Sequence, residues 1–334
     1  MPQVIRISIH FRASLVDYCG RTPGEKNGIT LQKMMILKRI RAATRILLKG
    51  TEVPTGIRKA FVDGHFYSPV VDSKALLQNQ ERIWSTPTET RGVDFNEMEQ
   101  RRWLTDILPR HFQDYDYVDE LPLDADESMF HTRNSQFSWL DSRTLFAVLR
   151  EFRPRKMIEV GSGFSSLLIA DVNRRFLGGS LEFICIEPFP RPFLKKGVPG
   201  ISRLIESRVQ DVPLDTFTVL EAGDILFIDS SHVSKTDSDV NFIYFEILPR
   251  LRPGVIIHIH DIFLPGEYPK HWIIDLGIQW NEQYLVRAML MDSHGFEVLF
   301  GCAYALDRLP DLVRQVLGGD LYGGGSLWIR RMGG

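Results

Sequence analysis

The stretch Met157-Ile158-Glu159-Val160-Gly161-Ser162-Gly163-Phe164-Ser165-Ser166 decides how the chain reads. A short apolar run ends in an acid and two glycines. A helical apolar pattern follows at once through Leu167, Leu168, Ile169 and Val172. Strand, tight turn and helix in that order open a doubly wound α/β sheet. Gly161 and Gly163 allow a sharp turn and a close approach to a ligand without interference from a Cβ. The third glycine of the dinucleotide fingerprint is absent, with Ser166 where Gly or Ala is expected. Amides at the helix start still offer an anion site. Glu159, beside the turn, suits a positively charged ligand better than a pyrophosphate.

Downstream the rhythm is regular. Strands are expected at 157–160, 182–186, 201–205, 224–228 and 254–260. Helices are expected between them at 165–177, 191–196, 214–220 and 237–248, and a further one at 279–291. Alternation of this kind implies right-handed crossovers and a mainly parallel sheet. The apolar runs are nearly continuous, as they are when helices cover both faces. Residues 296–305 and 326–331 read as two final strands, with a helix near 311–317 between them.

Upstream, residues 134–150 read as a helix leading into the first strand. Residues 94–108 read as a polar helix stopped by Pro109, and Gly64–Pro69 as an aromatic turn able to reach a ligand. Residues 1–60 are a poorly readable extension. They hold an alternating segment at 5–12 and a basic helical pattern from Leu31 to Lys49, which reads as a packed stripe with a solvated basic face, the alternative being a helix that lies on a membrane or an acidic partner. The expected organisation is this extension, a mostly helical cap at 61–133, and a catalytic α/β domain at 134–334.

The chain has 334 residues, 44% hydrophobic and 25% charged, and a formal net charge of -2. That composition is globular and gives no bulk attraction to nucleic acid. Cys19, Cys185 and Cys302 are too few and too scattered for a disulfide framework or zinc spacing. No apolar run is long enough for stable membrane insertion, and the N-terminus lacks the apolar core of a secretory leader. A cytoplasmic protein is expected. The sequence leaves a homo-oligomer open.

Ligands of open α/β sheets bind beyond the carboxyl ends of the strands. Polar groups recur there: Glu159 with Gly161 and Gly163, then Glu187, Gln210-Asp211, Asp229 and His260-Asp261. Glu187 is placed to accept hydrogen bonds from ribose hydroxyls, as in any nucleotide-binding sheet of this kind. Asp229 and His232 stand three residues apart just past a buried strand. His258 lies deeper in its strand and reads as a hydrogen-bonded core residue. The 263–272 segment, with Tyr268 and Trp272, reads as a lid or an aromatic loop.

Glu159-Val-Gly-Ser-Gly-Phe-Ser165 resembles the first motif of class I S-adenosylmethionine-dependent methyltransferases. Asp229-x-x-His232, the Pro253-Gly254 strand ending in His260-Asp261, and Trp280-Asn281-Glu282-Gln283-Tyr284 are similar to a branch containing natural-product and sugar O-methyltransferases. The resemblance spans residues 134–334. It implies a Rossmann-like sheet whose last strand pair includes one antiparallel strand. It also implies S-adenosylmethionine bound by Glu159, Gly161, Gly163, Ser165, Glu187, Asp211 and Asp229, with a small-molecule hydroxyl as acceptor. His232 falls where relatives such as catechol O-methyltransferase place a Lys general base, and a near-neutral imidazole suits that role. Asp229, His260 and Asp261 fall where metal-dependent relatives hold a divalent ion. His260 replaces an acid there, so a metal, if present, shifts from Mg²⁺ toward a transition metal. A metal-dependent hydroxylase on the same fold and a non-catalytic cofactor-binding partner are the alternative functions.

Overall fold

The structure, a computed structural model, describes residues 60–87, 89–122, 126–319 and 323–333. The expectations for residues 1–59, including the basic helix, lie outside the described residues.

Seven strands form one sheet: β1 (Lys156–Val160), β2 (Glu182–Ile186), β3 (Arg203–Ile205), β4 (Ile225–Ile228), β5 (Ile256–Ile259), β6 (Phe296–Gly301) and β7 (Leu327–Arg331). Their order is β3-β2-β1-β4-β5-β7-β6. Strands β1 to β5 pair in parallel, whereas β7 runs antiparallel to both neighbours. The order reverses between β1 and β4, and the carboxyl ends of those strands flank the crevice where ligands bind in such sheets. Strands β2, β1, β4 and β5 each alternate between two apolar layers. Met157, Phe183, Ile225, Phe227 and Ile256 face one; Ile158, Ile186, Leu226, Ile228 and Ile257 face the other. Both faces are buried, so the strand sequences show no polar alternation.

The helix Trp139–Phe152 precedes β1, and Phe164–Phe176 follows it. Leu140, Leu145, Phe146 and Leu149 of the first and Leu167, Leu168 and Val172 of the second are buried in one core. Phe146 and Leu145 stand three and four residues before Leu149, and Leu168 four before Val172, which makes one stripe per helix. Among the described residues no helix is long and apolar enough to cross a membrane.

Two expectations change. Pro109 does not end its helix: Glu97–Arg102 runs through a wide π turn, Trp103–Ile107, into Leu108–Phe112. Leu108 N bonds back to Trp103 O across the wide turn. Pro109 then opens the next segment, where a missing N–H costs little. The strand expected at 296–305 stops at Gly301, the last residue to pair with β7. The chain then coils into the helix Cys302–Arg308, which buries Cys302 and Ala305 at helical spacing.

Candidate active site

The turn after β1 is built by a backbone contact. Gly161 has φ +82, and a Cβ there would stand 1.8 Å from the Asp229 carbonyl oxygen. Gly161 N donates to Ile186 O (2.9 Å) and Asp229 N to Val160 O (2.8 Å). The ends of β1, β2 and β4 are thereby locked together. Gly163 differs from the sequence reading. Its φ of -163 is extended backbone open to any residue. The nearest atoms to a Cβ there are Gln136 Oε1 at 3.8 Å and Arg191 Nε at 3.9 Å, so this glycine keeps space clear and does not make the turn.

Glu159 is fully buried beneath the loop. Its carboxylate accepts from Ser165 Oγ (2.6 Å), from Ser166 Oγ and from the Cys185 thiol (3.5 Å). Ser166 Oγ in turn accepts from Gly163 N (3.0 Å). The acid expected to face a cation therefore secures the loop from below and does not line the cavity. Burial pushes its pKa up to about 7, against the Ser165 and Ser166 hydroxyl contacts that lower it. The sign follows from linkage. A pKa raised from 4.5 in the unfolded chain gives stability that is full below pH 4.5 and lost as pH rises to 7. Urea unfolding of Glu159→Gln beside the wild type should show the difference moving against the wild type by roughly 3 kcal/mol across that window, then levelling.

A cavity of about 550 Å³ opens over these strand ends, walled by Ser135–Phe137, Gly161–Ser165, Glu187, Asp229–His232, His260, Asp261, Trp272 and Trp280. A second, of about 480 Å³, adjoins it and shares Gly161, Glu187, Phe189, Asp229, Ser230 and Ser231. Glu187 is oriented by its own loop, accepting from Ser162 N (3.1 Å) and Phe189 N (2.8 Å). Asp211 stays outside both cavities. It is exposed and paired with Arg208 (2.9 Å), while its neighbour Gln210 lines the second cavity. The Gly64–Tyr67 turn also stays out, with Phe66 and Tyr67 exposed. In the 263–272 segment Tyr268 is buried and its OH accepts from Gln283 N (3.1 Å), which anchors the loop that presents Trp272.

At the inner end, two imidazoles face two carboxylates. His232 Nε2 lies 3.3 Å from Asp229 Oδ1 and 3.6 Å from Asp261 Oδ2. His260 Nδ1 stands at the same two distances from the same oxygens. His232 and Asp261 both take positive φ, 59 and 56, as the chain bends sharply out of β4 and β5. Behind each ring stands a further acid. His232 Nδ1 donates to Glu282 Oε2 (2.8 Å). His260 Nε2 is 3.5 Å from Asp141 Oδ2, an ion-pair distance too long for a well-formed hydrogen bond. Asp141 itself accepts from Gly325 N and Ser326 N at 3.0 and 2.8 Å. His258 is a core residue, stacked on Phe227 and bonded to Ser326 Oγ (2.8 Å).

These groups set one another's charge. Burial would lower the His232 pKa, but Asp229, Glu282 and Asp261 outweigh it and hold the ring at about 10. Burial likewise opposes the charge on His260, and Asp261, Asp229 and Asp141 keep its pKa well above the usual imidazole range. Asp229 is driven the other way, far below the carboxylate range, because the two rings overcome its desolvation. Asp261 stays raised, burial winning over the same rings. Glu282 and Asp141 went unread as site residues in the sequence. The available signal was an acid, Asp141, with Ser142 and Thr144 on the packed side of an otherwise apolar helix.

Residues 158–262 match a family model described as a methyltransferase domain. That match covers the Gly161 turn, Glu187, Asp229 and His260-Asp261, and the strand order carries the antiparallel β7 that the resemblance implied. The chain belongs to the class I S-adenosylmethionine-dependent methyltransferase family. An uncharacterized Archaeoglobus fulgidus protein is 35% identical over 200 residues, 58% of this methyltransferase chain and 90% of that protein. Solved structures similar to it include the O-methyltransferase TomG from Streptomyces achromogenes in complex with SAM. That likeness is at 15% identity and TM-score 0.36, over 72% of this chain and 97% of that one. Another is the Bacillus cereus O-methyltransferase in complex with SAH, at 13% identity and TM-score 0.35, over 72% and 98%. These two likenesses are too distant to assign any residue of this methyltransferase a role.

Proposed function

We propose that this methyltransferase moves the methyl group of S-adenosylmethionine to a hydroxyl of a small-molecule acceptor. The observation that carries the reading is that both cavities share Glu187 and Asp229. An adenosyl group extends into the second cavity past Gln210, its ribose hydroxyls donate to Glu187, and the sulfonium lies beside Asp229. Trp272 and Trp280 wall the acceptor space in front of His232 and keep water from it.

Asp229, His260 and Asp261 each offer one ligand atom, all within 4.8 Å of one another. Two partly buried carboxylates beside a buried imidazole fit a divalent cation, and the imidazole favours a transition metal over Mg²⁺. Such an ion supplies a Lewis-acid hold on the acceptor oxygen and positive charge beside the carboxylates. Asp141, behind His260, orients that ring as outer carboxylates do for metal-bound imidazoles.

His232 is the proton acceptor in this reading. At a pKa of about 10 the ring is an imidazolium at neutral pH and takes no proton. It becomes a base only when positive charge enters beside Asp229 and Asp261. Glu282 holds Nδ1–H, leaving Nε2 toward the cavity. The acceptor oxygen forms its bond to the methyl carbon as the sulfur–carbon bond breaks. The hydroxyl proton passes to His232 Nε2, and the thioether product departs. Holding nucleophile and methyl in line is the protein's main contribution. His232→Ala should lower kcat by about 10²- to 10⁴-fold while S-adenosylmethionine affinity in calorimetry changes little. Wild-type turnover in that variant removes the base role.

A further inference from the structure

The first cavity is also lined by a guanidinium, that of Arg191. It follows the Glu187-Pro188-Phe189-Pro190 loop and caps the short helix Pro192–Lys195. Its Nη2 donates to Gln136 Oε1 (2.6 Å), and its carbon lies 5.0 Å from the centre of the Phe164 ring. Stacking on that ring fixes the plane of the fork. Gln136 is a neutral acceptor and takes only one edge. Among the described residues no carboxylate stands within ion-pair distance of Arg191, although Arg150, Arg175 and Arg208 each have one; Glu187, which lines the same cavity, acts on it only through space. A half-buried guanidinium carries five N–H donors, and those left over face a cavity. The space before them is the gap kept open by Gly163, whose Cβ would stand 3.9 Å from Arg191 Nε.

We propose that Arg191, positioned by Gln136 and Phe164, binds the carboxylate of the cofactor's amino-acid end. The proposal rests on the S-adenosylmethionine reading above. The cavity then matches a zwitterionic ligand at both poles, the sulfonium beside Asp229 and Asp261 and the carboxylate beside Arg191. A planar guanidinium meets a carboxylate with two parallel hydrogen bonds, a geometry a lysine does not reproduce. Arg191 thus selects cofactors that keep the amino-acid end over those that have lost it.

The experiment is calorimetry on the full chain with S-adenosylhomocysteine and with 5′-methylthioadenosine, which lacks the amino-acid end. Arg191→Ala should weaken S-adenosylhomocysteine roughly 10- to 100-fold and leave 5′-methylthioadenosine unchanged. Arg191→Lys should fall between, and Gln136→Ala should show the same selective loss at smaller size. Unchanged 5′-methylthioadenosine affinity also shows that the variant is folded. Equal weakening of both ligands, or of neither, overturns the proposal; the second result would fit an arginine that meets an anionic acceptor instead. If the wild-type chain binds neither compound, the cofactor reading itself fails and takes this proposal with it. That outcome is distinct from wild-type binding without selectivity in the variants.

Discussion

Gly161→Ala should abolish measurable S-adenosylmethionine binding, a loss of roughly 100-fold or more, and lower unfolding stability by about 2–4 kcal/mol. The added methyl meets backbone and not a movable side chain, at 1.8 Å from the Asp229 carbonyl oxygen. The residue also holds φ +82, where an L side chain adds strain of its own, on the order of 1 kcal/mol. Relief requires the β1 turn to part from the β4 end, and that contact forms the floor shared by both cavities. Gly163→Ala is the control. Its backbone is extended and no atom lies within 3.8 Å of the new methyl. Stability should stay close to wild type, and any loss of affinity reports crowding of the ligand alone. A folded, tight-binding Gly161→Ala would contradict the geometry.

Asp229→Asn carries the next largest effect. Of the two oxygens that face both imidazoles, the Asp229 one is the nearer, at 3.3 Å from each ring against 3.6 Å for Asp261. Its carboxylate is held far below the usual range by those rings in spite of its burial. In the proposed site the neutral amide would remove a metal ligand and a counter-charge together. Mn²⁺ or Co²⁺ affinity, read by calorimetry or by the absorption of the Co²⁺ form, should fall roughly 100-fold or more. The second-sphere change Asp141→Asn should cost only about 10-fold. Turnover should fall about 10³-fold with Asp229→Asn, since ion, sulfonium environment and base are disturbed at once. Equal cation affinity in wild type and Asp229→Asn would dismiss the ion from the site.

The sheet was legible because its strands are buried on both faces and its turns fall at regular intervals. β2 has the limits its apolar run suggests, and β1 extends one residue earlier, at Lys156. Apolar runs ceased to be informative where one element passes straight into another. The run from Phe296 continues smoothly into Cys302 and Ala305, yet pairing with β7 stops at Gly301 and the remainder coils. Pro109 misled for a related reason, since a wide turn absorbs it and nothing in the residue types announces that turn. At the site, strand-end position identified Glu187, Asp229, His232, His260 and Asp261 as neighbours. It could not tell a side chain facing the cavity from one facing down. Glu159 turns inward to two serines, and Asp211 turns outward to Arg208. Glu282 and Asp141 come from helices at distant points in the chain, and only the packed fold brings their carboxylates behind the two rings.

The most direct test titrates the wild-type chain with S-adenosylmethionine in a calorimeter, with and without Mn²⁺. Saturable binding at one site per chain is the predicted result. An absence of heat under both conditions, in a chain shown to be folded, would contradict the account.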